Sequence, residues 1–285
     1  MLAKAEELQG VRCNLQLSRP QIMGIVNLTP DSFSDGGTFQ DSGKAVAHAL
    51  RLEQEGATLL DLGGESTRPG AEPVSAQQEM DRVLPVLEAL RHETSAWISI
   101  DTSTPELITE AARLGAELIN DVRALRRPGA LEAAAATGLP VCLMHMQGEP
   151  GTMQKQPVYQ DLMSEIRSFL TARVAACHEA GIGKERVLLD PGFGFGKTLQ
   201  HNLALLNNLD QLQDLGFPLL VGMSRKRMLG EVTERAVDQR EAAGIAAHLL
   251  AAQKGAKILR VHDVAGLKDA LDVWQACINS EQKTG

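Results

Sequence analysis

Polar side chains recur at one kind of place along this chain, directly after short apolar runs. They are Asn27, Asp61 with the GGESTRPG segment behind it, Asp101, Asn120 with Asp121, His145, Asp190, the SRK of 224–226, and Arg260 with His262. The residue types matter. A carboxylate accepts from adjacent N–H donors, an asparagine both donates and accepts, and an arginine offers a planar fork that matches phosphate oxygens. Arg260 and His262 are two residues apart, so in an extended strand they share a face and together suit an anion. A single aspartate behind a strand is ordinarily the N-cap of the next helix, which is the reading for Asp263. Polar residues behind eight successive runs call for a common explanation.

Two long glycine-rich loops follow two of the runs, NLTPDSFSDGG at 27–37 and GGESTRPGA at 63–71. Their Ser32, Ser34, Ser66, Thr67 and Arg68 are the donors that a loop folding over a ligand would bring. The segment PGFGFGKT at 191–198 ends like a phosphate-binding P-loop, but Pro191 stands where that motif requires its first glycine. Its glycines instead let the backbone and the rings of Phe193 and Phe195 approach a flat ligand. Lys226 admits two chemistries. It could form a Schiff base with a carbonyl, or, within the basic run 224–227, hydrogen-bond an electron-rich or anionic ligand.

The elements that must position these groups follow from periodicity. Runs rich in Val, Ile and Leu predict buried strands at Ile22–Val26, Thr58–Leu62, Trp97–Ile100, Glu117–Ile119, Pro140–Met144, Arg186–Leu189, Leu219–Val221 and Lys257–Val261. Helical spacing predicts helices at Gly43–Glu55, Ala76–Arg91, Pro105–Leu114, Pro128–Thr137, Leu162–Ala180, Leu199–Leu215, Arg240–Lys254 and Val264–Ile278. Asp41-Ser42, Ser75 and Thr104-Pro105 read as helix starts. Eight βα units without a linker predict an α/β fold, a single-domain (β/α)8 TIM barrel over residues 1–285, with an ordered core at about 20–278 and terminal extensions at 1–19 and 279–285. A doubly wound open sheet is the alternative. In a barrel, all eight polar strand ends converge on one mouth.

Composition removes several classes of function. A net charge of −8 opposes nonspecific attraction to nucleic acid, and 3% aromatic residues with a single tyrosine, Tyr159, leave no stacking platform for single strands. The apolar stretch at 242–252 is too short to cross a bilayer, which predicts no membrane partner. The start MLAKAEELQG lacks the pattern of a secretion signal, so a cytoplasmic protein is expected. Cys13, Cys142, Cys177 and Cys277 are too scattered to suggest a disulfide framework or a zinc site.

Eight segments carry a resemblance: GIVNLTPDSFSDGG (24–37), DLGGESTRPGA (61–71), SIDT (99–102), INDV (119–122), MHMQGEP (144–150), LLDPGFGFGKT (188–198), VGMSRKRMLG (221–230) and RVHDV (260–264). From about Pro20 to Asp272 the chain resembles the dihydropteroate synthase family of folate biosynthesis. The resemblance implies a (β/α)8 barrel that joins 4-aminobenzoate to the methylene of 6-hydroxymethyl-7,8-dihydropterin diphosphate, releasing diphosphate and 7,8-dihydropteroate. It implies that Asp101, Asn120, Asp190 and Lys226 hold the pterin edges while Arg260 stacks over the ring. Asn27, Arg68, Arg260 and His262 would hold the diphosphate, with Mg2+ near Asn27. Phe33, Thr67, Pro69, Phe195 and Lys226 would form the 4-aminobenzoate pocket. The family also implies a homodimer and sensitivity to sulfonamides, although Arg227 stands where many relatives have a small residue.

On this reading Asp101, Lys226, Arg260 and His262 carry the chemistry. Departure of diphosphate leaves positive charge on the pterin methylene, which Asp101 stabilises, while Arg68, Arg260, His262 and Mg2+ stabilise the leaving group. The expected course is a dissociative, SN1-like substitution with no covalent enzyme intermediate, and loop closure keeps water out. A catalytically silent pterin-binding paralogue and a corrinoid-linked pterin methyltransferase are the competing readings. The first would have no use for the TRPG loop. The second would have none for the diphosphate grip of Arg68 and His262.

Overall fold

The computed structural model describes residues 6–29, 38–66, 74–148 and 157–283. Eight strands follow one another around a closed barrel: β3 (Gln21–Asn27), β4 (Leu59–Gly63), β5 (Trp97–Asp101), β6 (Leu118–Asp121), β7 (Val141–Met144), β8 (Val187–Asp190), β9 (Leu219–Val221) and β10 (Ala256–Val261). Every neighbouring pair is parallel, and β10 returns to β3 with Ile258 opposite Gln21 and Val261 opposite Gly24. That last pairing excludes the open-sheet alternative. Between the strands run α1 (Thr38–Gln54), α2 (Ala76–Leu90), α3 (Pro105–Leu114), α4 (Ala130–Thr137), α5 (Leu162–Glu179), α6 (Leu199–Asn207), α7 (Arg227–Thr233) and α8 (Glu241–Gln253), with α9 (Val264–Lys283) after β10.

Alternation along each strand separates two environments. Outward residues such as Val26, Leu60, Leu62, Ile98, Ile100, Val141, Leu189 and Val261 are buried beneath the helices in the larger apolar core. Inward residues Met23, Leu59, Trp97, Leu118, Cys142, Leu188, Leu220 and Ile258, one from each strand, form a separate buried layer inside the barrel. An N-terminal antiparallel hairpin, β1 (Glu7–Leu8) and β2 (Leu15–Gln16), adds Leu8, Leu15 and Leu17 to that layer. Lys257 Nζ ties it down by donating to the Leu17 carbonyl at 2.7 Å. The hairpin lies in the segment that the sequence leaves as an extension. Each buried leucine contributes about 1.5–3 kcal/mol of transfer free energy, and together they stop the barrel at its lower end.

Some local expectations are revised. Helix α1 begins at Thr38, so Asp41 and Ser42 lie within it instead of capping it. Ser75 does cap α2, in a capping box with Gln78. Thr104 makes no capping bond to α3, because its hydroxyl is turned to the buried Glu79 Oε2 at 2.5 Å. The expected helix 199–215 breaks at Asn208 and continues as a 3₁₀ turn, and the short α7 is additional. Asp263, directly before α9 where the sequence places a cap, also pairs with Arg225 at 2.9 Å. Among the described residues no helix is long and apolar enough to cross a membrane.

Candidate active site

Two residues along each strand from the buried apolar layer, on the same inward face, the residue types change. Asp61, Ser99, Asn120, Asp190 and Arg260 now face the interior, beside Ile25 and Met144. Asp61 and Ser99 are fully buried, and Asn120 and Asp190 nearly so. A further step reaches Asn27, Asp101 and His262, at or just past the strand ends. The strand pairing sets Asn27 beside Gly63, and Gly63 beside Asp101.

Arg260 organises this level. Its Nε donates to Asp61 Oδ2 at 2.5 Å, and its Nη2 donates to Asp101 Oδ2 at 2.9 Å. Asn120 Nδ2 reaches the same Asp61 oxygen at 3.1 Å. One guanidinium on β10 thus reaches past β3 to bridge two carboxylates on the neighbouring strands β4 and β5. Burial works against the Arg260 charge, but Asp61 and Asp101 outweigh it and push its proton affinity further up. Burial pushes Asp101 up to about 7, with Arg260 opposing the rise and the Asp61 carboxylate adding to it. Asp190 is raised by burial against the pull of Lys226, and burial lowers Lys226 to about 8. Asp61 Oδ1 and Ser99 Oγ are buried without a hydrogen-bond partner. Such atoms are what a donor-rich ligand or an ordered water would satisfy.

Further out, Lys226 donates to the Phe193 carbonyl and stands over the Phe195 ring, 4.6 Å from its centroid. Phe195 packs on its apolar side with Val122, Met144 and Met146. His262 shares Ser224 Oγ between its ring Nδ1, at 3.0 Å, and its backbone N–H, at 3.3 Å. Arg227 turns away. Its side chain is 86% exposed and paired with Glu231 on its own helix, so it does not alter the wall made by Lys226.

Of the residues singled out in the sequence, Asp101, Asn120, Asp190, Lys226 and Arg260 form one cluster, with Phe195 and His262 at its outer edge. Arg260, expected to stack over a ring, has two of its donors committed to carboxylates, which fixes the plane it can present. Phe33, Thr67, Arg68 and Pro69 lie outside the described residues. Asp121, read together with Asn120, faces the other way. It accepts from the Arg123 and Leu125 backbone N–H groups at 2.7 and 2.8 Å and from Ser103 Oγ. Arg123 in turn clamps Glu65, at the base of the second loop, with two bonds of 2.9 and 3.0 Å.

Local sequence gives Asp61 no role of its own and hides Lys197 in a glycine-rich motif. Asp61 occupied a strand end like the others, and its position two residues above Leu59 was the available signal. Lys197 is only 3% exposed and donates to His145 Nδ1, the Gly192 carbonyl and the Phe195 carbonyl at 3.0, 2.8 and 3.2 Å. Among the described residues no three His, Cys, Asp or Glu side chains gather as a metal cage.

The arrangement can therefore bind a flat, donor-rich heterocycle against buried carboxylates and an amide, with cations toward the mouth for an anionic group. Comparison with known proteins agrees. The family described as pterin binding enzyme matches residues 23–262. The dihydropteroate synthase of Escherichia coli K12 is 52% identical over 269 residues, covering 94% of this chain and 95% of its own. The dihydropteroate synthase of Yersinia pestis, solved with a sulfonamide drug complex, superposes with a TM-score of 0.92 at 53% identity, covering 96% and 99% of the two chains. That of Xanthomonas albilineans, solved with 4-aminobenzoic acid, gives 0.90 at 54% identity, covering 95% and 98%. The same relative has also been solved with 7,8-dihydropteroate. With most of its length matched at this level, the chain belongs to the pterin binding enzyme family, among its dihydropteroate synthases.

Proposed function

We propose that the barrel mouth joins 4-aminobenzoate to the methylene carbon of 6-hydroxymethyl-7,8-dihydropterin diphosphate, forming 7,8-dihydropteroate and diphosphate. The relatives that carry the name of this activity, and the ligands bound to the Xanthomonas protein, support the reading. The observation that carries it is the cluster of buried Asp61, Asn120 and Asp190 with Asp101 one step above them, in which Arg260 bridges Asp61 and Asp101. In this assignment Asn120 and Asp190 read the donor and acceptor edges of the pterin, and Arg260, fixed by its two carboxylates, lies against the ring.

The substitution runs dissociatively. As the bond to diphosphate lengthens, positive charge spreads from the methylene into the ring nitrogens, and the Asp101 carboxylate stabilises it. Arg68, Arg260 and His262 hold the departing oxygens, and the amine of 4-aminobenzoate, lying between Phe195 and Lys226, attacks the cation. The loops bearing Phe33 and Thr67–Pro69 keep competing water away. Asn27 would lend a single amide oxygen to Mg2+, which suits an ion that completes its shell with phosphate oxygens and water. When bound, the ion would neutralise charge on the diphosphate. The working form is a homodimer in the cytoplasm.

Diphosphate release by the purified protein, given both substrates and Mg2+, tests this reading. Turnover is expected, with losses of about a hundredfold or more for Arg68→Ala and His262→Ala. Binding of the pterin diphosphate without turnover would mean a silent binder. Turnover that is indifferent to both substitutions would remove the diphosphate grip.

A further inference from the structure

The turn 192–196 that carries Phe195 is held at several of its polar backbone atoms by side chains. Gly192, Gly194 and Gly196 all have positive φ, at 71, 79 and 60°, so the path is one that only glycine follows without strain. It is also pressed against the end of β7. A Cβ on Gly192 would fall 1.8 Å from the His145 carbonyl oxygen, and one on Gly196 would fall 2.6 Å from that of Gln147. Such a turn has no regular ladder to satisfy its backbone. Instead, Asn202 Oδ1 accepts from the Gly194 N–H at 2.7 Å, and the hydroxyl of Tyr159, the chain's single tyrosine, donates to the Gly196 carbonyl at 2.7 Å. Lys197 Nζ closes the turn from within by bonding the carbonyls of both Gly192 and Phe195.

Lys197 is an unusual choice for this task. Its ammonium is buried, and the three acceptors it meets are all uncharged: two carbonyls and His145 Nδ1. Three acceptors match its three N–H donors, and burial lowers it to about 7. Burial and the neighbouring Lys197 hold His145 neutral, lowering it to about 2, so its Nδ1 stays free to accept. An apolar side chain would fill this space without the cost of burying an amine. What the amine adds is direction, since it pins the carbonyl of Phe195, whose ring faces Lys226.

We infer that Lys197, assisted by Tyr159, is a positioning residue for the second substrate: by clamping the 192–196 turn it fixes the Phe195 ring against Lys226 and so shapes the 4-aminobenzoate wall. The inference rests on the reading that Phe195 lines the 4-aminobenzoate pocket. The three donors of Lys197 are taken by His145, Gly192 and Phe195, so its effect passes through Phe195.

The test compares Lys197→Met, Tyr159→Phe and Phe195→Ala by steady-state kinetics, with pterin diphosphate binding to each variant measured by calorimetry. Lys197→Met is expected to raise KM for 4-aminobenzoate about tenfold or more while leaving the Kd for pterin diphosphate within about threefold. Tyr159→Phe, which deletes one hydroxyl, should raise the same KM about threefold. Tyr159→Phe decides the matter if Lys197→Met does not fold. Unchanged KM for 4-aminobenzoate in both clamp variants, with a raised KM in Phe195→Ala, overturns the clamp. Equal weakening of both substrates overturns it too, because the role would then be merely structural. Unchanged KM in Phe195→Ala would instead refute the pocket assignment on which the clamp depends.

Discussion

Removing Arg260 should reveal how much of the site is held together by one cation. Arg260 bonds Asp61, whose side chain is fully buried, and Asp101, whose side chain is 13% exposed. Arg260→Ala leaves both carboxylates inside the barrel without a counter-charge, and breaking a buried pair in this way costs about 3–5 kcal/mol. The cost should depend on pH, and its sign follows from the protonation of Asp101. Its folded value is raised above the unfolded one, so the folded state holds a proton that the unfolded state releases. Its contribution is therefore greatest at low pH and is lost as pH rises from about 4 toward 7. Arg260 opposes that rise. Without it the folded value climbs further and the loss continues to higher pH, at about 1.4 kcal/mol for each pH unit until that value is reached. The penalty for Arg260→Ala, measured by urea unfolding, should approach its full size at pH 8 and be smaller by about 1–2 kcal/mol at pH 5.5. Adding Asp61→Asn in the same background should recover about 1 kcal/mol or more at pH 8. A penalty identical at both pH values, with no recovery in the double variant, would refute the view that Arg260 offsets two buried carboxylates.

Other perturbations separate the frame from the chemistry. Gly192→Ala, at positive φ and facing the His145 carbonyl, should cost about 3 kcal/mol or more in thermal unfolding. Leu17→Ala, in the hairpin layer, should cost about 2–4 kcal/mol while leaving turnover per folded molecule unchanged at 25 °C; a kinetic defect would show that the lower layer communicates with the mouth. Arg123→Ala should cost about 2–3 kcal/mol through loss of its two bonds to Glu65, and Arg123→Lys should restore little of it, because an ammonium cannot reproduce the fork. Urea titration of the three Arg123 forms checks this.

Much of this architecture could be read along the chain. Strands buried on both faces announce themselves as short apolar runs, and a closed barrel follows from counting them. The polar strand ends were legible because an inward Asp or Asn interrupts an otherwise apolar face, as at Asp61 above Leu59 and Asn120 above Leu118. What escaped was pairing across the barrel. Asp61 and Arg260 are 199 residues apart, and nothing local to either shows that they meet. Asp121 misled for the opposite reason. Its neighbour Asn120 points inward, so Asp121 must point outward, where it serves the loop instead of the ligand. Thr104 looked like a cap because local spacing is blind to Glu79, which arrives from another helix. Lys197 was hidden by its motif, since a lysine after glycines suggests phosphate until its burial is known.

Among the described residues, the apolar layer beneath the acidic groups closes the barrel interior at its lower end, so Asp61 and Asn120 are approached from the mouth. Depth then sets sequence. A molecule seated against Asp61 and Asn120 has to arrive before anything occupies the Phe195 shelf above it, and it departs only after that shelf has cleared. Under the assignment made above, the heterocycle precedes the aniline on the way in, and the joined product leaves by the route through which both entered. On that assignment the order of traffic is set by the apolar stopper at the far end of the barrel.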